Sequence, residues 1–167
     1  DMRAYIERVR AVSPRMQEAI DNASRGATKG VVSQSFALDG TVMQARSVIS
    51  GLPFESDAVN NSDLWADMLQ EIKALQDSDT IDEATAGQLR EQGRDALVNY
   101  LQPAYENIIQ WAGNAKDKAP AVATGIGTQP GGAAFYEYRL RNHTTTHLTA
   151  NELHQLGLPE VARLRKE

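Results

Sequence analysis

The densest set of reactive side chains is the run Phe135-Tyr136-Glu137-Tyr138-Arg139-Leu140-Arg141-Asn142-His143-Thr144-Thr145-Thr146. From Tyr136 on, it packs two tyrosines, two arginines, one histidine and three threonines into eleven residues. Polar groups in that number cannot be buried without hydrogen-bond partners. They can line a polar pocket in which guanidinium and hydroxyl groups donate to an anionic or peptide ligand. Alternatively, Phe135 and Leu140 pack and the remaining side chains are solvated.

Other constellations carry less chemistry. His143 and His147 are four apart, a spacing that on a helix would aim both imidazoles to one side, as zinc sites require. Three consecutive β-branched threonines lie between them and oppose a helix. No Glu follows His143 to serve as a base, so these histidines read as structural or incidental, and no metal ligand is assigned. His154 reads as a packing or surface residue. Gly125, Gly127, Gly131 and Gly132 suggest a phosphate loop only superficially. A dinucleotide fingerprint needs a glycine where Pro130 stands, and a Walker loop needs a lysine where Ala133 stands. They read as a flexible linker. No Gly-x-Ser-x-Gly elbow exists for serine catalysis. The acid pairs Asp77/Asp79 and Asp82/Glu83 sit at a helix start, where the dipole accounts for them. Trp65 and Trp111 read as core.

The composition sets limits on what these residues serve. A chain of 167 residues supports one core rather than two full domains. Its 17 Lys and Arg against 22 Asp and Glu leave a net charge of −5. That balance excludes a nucleic-acid surface, which needs clustered cations. Arg163, Arg165 and Lys166 are the densest basic group and suit a helix C-terminus. Without cysteine there are no disulfides and no thiol nucleophile. No apolar run is long enough to span a membrane, and no signal segment is present. The chain starts at Asp1, which suggests a processed or trimmed start.

The elements that must position the polar block are helical. Tyr5, Ile6, Val9 and Val12 recur at helical spacing, and Ser13-Pro14 opens a second helix carrying Met16, Ala19, Ile20 and Ala23. Residues 24–37 read as a loop, and a third helix covers roughly 39–50. Gly51-Leu52-Pro53 stops it, and 51–61 is a polar connection. Asn61, Ser62 or Asp63 caps a fourth helix with the stripe Leu64, Trp65, Met68, Leu69, Ile72 and Leu75. Thr80 and Glu83 form a capping box opening a long pattern through Leu89, Leu97, Leu101, Tyr105, Ile108, Ile109 and Ala112. At about 1.5 Å per residue it would span about 50 Å, far beyond the radius of a compact domain. Either Pro103 kinks it or it packs against further protein. Thr149 and Glu152 form another capping box, Gly157 interrupts that helix, and Pro159 begins a last one that runs to Glu167 without a C-cap. The expected class is all-α, an irregular antiparallel bundle of six to seven helices with at most a short strand. Residues 1–113 form the bundle, 114–132 a linker, and 133–167 the start of a further core, together one partial domain of a larger protein.

The run Pro130-Gly131-Gly132-Ala133-Ala134-Phe135-Tyr136 through Thr146, followed by Leu148-Thr149-Ala150-Asn151-Glu152-Leu153-His154-Gln155-Leu156-Gly157-Leu158, resembles the bacterial domain of unknown function 885. Gln102-Pro103-Ala104-Tyr105 and the Gly26 to Gly30 turn fit the same family. Ala150 departs from it where proline is favoured, and His147 where an acidic residue is common. The resemblance implies a helical, zinc-peptidase-like protein of several hundred residues, exported, periplasmic or lipid-anchored. The family's His-Glu-x-x-Pro-Gly-His motif is absent here, so zinc would belong to the longer protein and this chain holds no cofactor. Under that reading Tyr136, Arg139, His143, Thr144 and Thr145 help line the cleft for a peptide-like substrate, without being catalytic. The partners are then the rest of the parent chain and its substrate, and the fragment's uncovered apolar faces favour self-association. The alternative is a non-catalytic helical interaction module.

Overall fold

Apolar residues at helical spacing, punctuated by glycine and proline, fold the chain as helices throughout. The protein, a computed structural model, is described over residues 1–166. Its α-helices are α1 (Met2–Arg10), α2 (Val12–Thr28), α3 (Ser35–Val48), α4 (Asp63–Asp77), α5 (Glu83–Ala96), α6 (Gln102–Lys116), α7 (Gly132–Thr144) and α8 (Ala150–Leu164). A π-helical turn, Leu97–Leu101, joins α5 to α6, and a 3₁₀ turn, Ile126–Thr128, precedes α7. No strand occurs among the described residues. A lone parallel bridge between Leu52 and Asn61 closes the polar connection after α3. The elements gather into two units, 1–28 with 32–122, and 29–31 with the chain from Ala123 onward.

The first unit holds the hydrophobic core. Met2, Ile6 and Val9 of α1 meet Met68 and Ile72 of α4, Ala86, Leu89 and Ala96 of α5, and Leu97 and Leu101 of the π turn. Ile6, Met68, Ile72 and Leu97 are fully buried. The expected stripe on α4 is the face that enters this core, and Ser62 caps that helix by accepting from the Trp65 N–H at 3.3 Å. The α4–α5 contact is tight at Gly93, where an added Cβ would press on neighbouring side chains. A Cβ there would lie 3.1 Å from Met68 Sδ and 3.4 Å from the Trp65 ring. Around α6, Leu38 and Ala45 of α3 are buried together with Ala104 and Ala112. Trp111 Nε1 donates to Ser24 Oγ at 2.9 Å, tying α6 to α2, and Lys116 reaches Asp39 of α3 at 2.6 Å.

The long pattern after residue 80 resolves differently from its sequence reading. Asp82, not Thr80, caps α5, accepting from the Thr85 N–H at 2.8 Å. Glu83 instead pairs with Arg90 at 3.0 Å. The pattern is then interrupted just before Pro103. In the π turn the Gln102 N–H donates to the Leu97 carbonyl, a five-residue reach. Proline lacks the N–H to continue an α ladder and its ring crowds the carbonyl four residues back. A wider turn accommodates both and keeps Leu97 and Leu101 on the buried side. Helices α2 and α3 also extend further into the expected 24–37 loop, leaving only 29–34 outside them.

One polar cluster edges this core. The Arg10 guanidinium pairs with Glu7 at 2.7 Å and Asp95 at 3.0 Å, and lies 5.5 Å from the Tyr100 ring centroid. The Asn99 side chain donates to Asp95 at 2.7 Å. These bonds, Asn99's first and then Arg10's, hold the Asp95 carboxyl below its ordinary value against a partial cost of burial. A lowered folded-state value stabilises the fold above the unfolded value and is lost as pH falls through the folded one. The melting-temperature gap between wild type and Asp95→Asn is therefore expected to narrow below about pH 4, followed by thermal denaturation across pH. In the core, Ile72→Ala is expected to cost about 2–5 kcal/mol, read from urea denaturation midpoints.

Candidate functional site

The polar block sits on α7, and its local sequence shows how α7 is launched. The 3₁₀ turn folds back so that the Gly132 N–H donates to the Gln129 carbonyl at 2.8 Å, and Thr128 Oγ1 donates to the Gly125 carbonyl at 2.9 Å. A Cβ on Gly132 would sit 1.7 Å from the Ile126 carbonyl oxygen, so only glycine fits. Gly132 thus seats the 3₁₀ turn against the start of α7.

On α7 the candidate residues separate into two groups. Tyr136, Arg139 and His143 stand at i, i+3 and i+7, which places them on one side of the helix, and all three are exposed. Thr144 and Thr145 instead terminate the helix. Thr144 Oγ1 donates to the Leu140 carbonyl at 2.8 Å and shares a bond with Thr146 Oγ1 at 2.9 Å. Thr145 takes a left-handed conformation (φ 55°), and its N–H donates to the Arg141 carbonyl at 2.9 Å. The threonine run therefore does stop the helix, but only after His143 has completed its last turn. His147 lies beyond that stop, so the two imidazoles do not share a helix face. Among the described residues no group of three or more His, Asp or Glu side chains is close enough to hold a metal. The zinc implied by the family resemblance does not fit the residues present.

Beside the stripe are two shallow grooves. The larger, about 490 Å³, is lined by Ile126, Ala133, Tyr136, Glu137, Thr149 and Asn151. The smaller, about 240 Å³, is lined by Glu137, Leu140, Arg141, His147, Leu148 and Thr149. Of the candidate residues, Tyr136 alone lines either one. Arg141, which the sequence offers beside Arg139 as a partner for a carboxylate, lines the smaller groove with His147, while Glu137 and Asn151 line the larger one without having been singled out. The signal was available: with the block read as a helix, Glu137 and Arg141 share an i, i+4 row adjoining the Tyr136 stripe.

The groove floor is fixed by the α8 capping box. Glu152 Oε2 accepts the Thr149 N–H at 2.8 Å, and Thr149 Oγ1 accepts the Glu152 N–H at 3.3 Å. The Thr149 backbone bond, foremost, keeps the Glu152 carboxyl below the ordinary carboxylate range. Beyond the cap, α8 runs continuously through Gly157 and Pro159, correcting the expected break there. Helix α8 ends at Leu164 with Arg165 as its C-cap, short of the expected uncapped run to Glu167, and Glu167 itself lies outside the described residues. Because the groove hangs on the Gly132 turn, Gly132→Ala is expected to displace α7 from the 3₁₀ turn. Protease cleavage between residues 120 and 135 would speed up, while the first unit's melting transition stays in place.

The fold matches the crystal structure of a candidate lipoprotein from Colwellia psychrerythraea with a TM-score of 0.82 at 20% identity. The match covers 97% of this chain and 26% of that one, so the chain spans about a quarter of the solved protein's length. At that identity the likeness is one of fold. No curated protein matches the chain in sequence. The profile of the family described as "Bacterial protein of unknown function (DUF885)" matches residues 1–167, so the chain belongs to that family.

Proposed function

We propose that this chain is a helical part of a longer exported or lipid-anchored bacterial protein that cleaves peptide-like substrates with zinc. In this reading the chain supplies scaffold and one wall of the substrate cleft, and the metal ligands come from elsewhere in the polypeptide. The observation that carries it is the exposed line of Tyr136, Arg139 and His143 on α7 beside a groove edged by Glu137 and Asn151. A peptide carboxylate or backbone carbonyl can accept from the Arg139 guanidinium and the Tyr136 hydroxyl, charge-assisted bonds being roughly twice as strong as neutral ones. The Thr144 hydroxyl is committed to the Leu140 carbonyl, so the two threonines hold the end of α7 in place and do not themselves reach for substrate.

The second reading, a non-catalytic interaction module, is favoured by the exposed Phe135 and Tyr138 on the same helix. Variants of the full-length protein separate the two. Arg139→Ala and Tyr136→Phe are expected to lower kcat/KM on a zinc-supplied peptide mixture about 10- to 100-fold, each with an unchanged melting curve. Full turnover in both variants, and in His143→Ala, removes the cleft assignment. No turnover by the wild type leaves the interaction module standing.

A further inference from the structure

The second unit has helices but no hydrophobic interior. Gly132 is its one buried residue among those described. On α8 every apolar side chain past the first turn is left largely in solvent: Leu156 is 59% exposed, Leu158 and Val161 51%, and Leu164 56%. A helix of 15 residues is marginal in water unless packing supports its apolar face. An open depression of about 750 Å³ lies along this one helix, lined by Leu153, His154, Leu158 and Val161, and ends at Arg165 and Lys166. Gly157 notches its middle, where an added Cβ would meet nothing within 4 Å. Apolar walls, a central notch and a cationic end describe the seat of another helix. That helix would be apolar along one side, with a large side chain over Gly157 and an acidic residue opposite Arg165 and Lys166.

We infer that this seat is filled by an amphipathic helix from a further part of the same natural polypeptide. The solved protein with this fold is nearly four times as long as the span it shares with the chain, so such a segment is available in the family's architecture. Two other occupants fit less well. A helix lying on a lipid surface carries Lys and Arg along its polar side. Here the side away from the groove holds Glu152, Leu156, Pro159 and Arg163, so its one cation stands near the C-terminal end and is paired with Glu160. A second copy would place α8 against itself across a two-fold axis. Parallel pairing sets Arg165 and Lys166 against their own kind, and antiparallel pairing sets them against Leu153 and His154, which offer no anion. The inference requires a longer polypeptide but not a peptidase, so it survives a failed turnover assay.

Hydrogen–deuterium exchange compares the 167-residue chain with the full-length natural protein. Amides 153–164 are expected to exchange at least about tenfold more slowly in the full-length protein, and Val161→Asp, but not Gln155→Asp, to abolish that protection. Equal exchange in the two proteins overturns the inference. So does protection that depends on protein concentration, with a dimer in ultracentrifugation that Val161→Asp dissolves. Protection gained only with phosphatidylglycerol vesicles, and lost in Arg165→Ala/Lys166→Ala, overturns it as well.

Discussion

The first unit depends on one seam of apolar side chains that has to stay continuous across a proline. From Ala86 through Leu89 and Ala96 to Leu97 and Leu101, the buried side of α5 and the π turn faces α1 and α4. Pro103 follows two residues after the seam's last leucine. An α-helix running straight into it would lose the hydrogen bond at 103 and strain the carbonyl at 99. Widening the ladder one turn earlier resolves this locally. The extra residue is absorbed between Leu97 and Gln102, and Ala104 and Ala112 continue on a buried side of α6. Gly93 belongs to the same constraint, because it lets α4 close on α5 at the level of Met68.

How much of this was legible follows from which interactions are local. The α4 stripe with Trp65, its Ser62 cap and the α8 capping box could all be read from spacing alone, because the partners lie within one helical turn or share one face. Trp111, by contrast, is half-buried and bonds to the distant Ser24. The start of α5 was misplaced by a short distance for a related reason. Thr80 and Glu83 have box spacing, but Asp82 is also a strong cap, and Glu83 is drawn across to Arg90 and Gln76. Neither partner is visible to a rule about four consecutive residues. Gly157 and Pro159 read as breaks because each costs helix stability on its own, yet the helix continues through both.

The candidate site shows the same division more sharply. Residue types marked the block correctly as the polar concentration of the chain, but its periodicity was hidden by the threonines. Threonine is a poor helix former in a helix interior and a good terminator, since its hydroxyl can bond back to the carbonyl four residues earlier. Thr144 does this at the end of α7. Three threonines thus read as an argument against a helix, when they are the reason one ends there. The hydroxyls of Thr144 and Thr145 are spent on backbone carbonyls, which spacing alone does not reveal.

The two units differ in what they leave for other protein to do. The first has a closed core, with its charged side chains in pairs such as Lys73 with Asp77 and Arg10 with Asp95. The second has well-built helix ends and almost no interior. Its capping box, its left-handed Thr145 and its glycine-only contact at Ile126 all fix backbone geometry, while its aromatic and aliphatic side chains stay exposed. Backbone precision without a core is what a segment needs when it must present side chains at set positions to neighbours that complete it. The polar line on α7 and the exposed apolar side chains of α8 both stand on backbone held this way. A chain with the reverse allocation, a closed interior and loose helix ends, would hold neither at a defined spacing. On this argument the second unit's helix ends, not its interior, fix where its side chains stand.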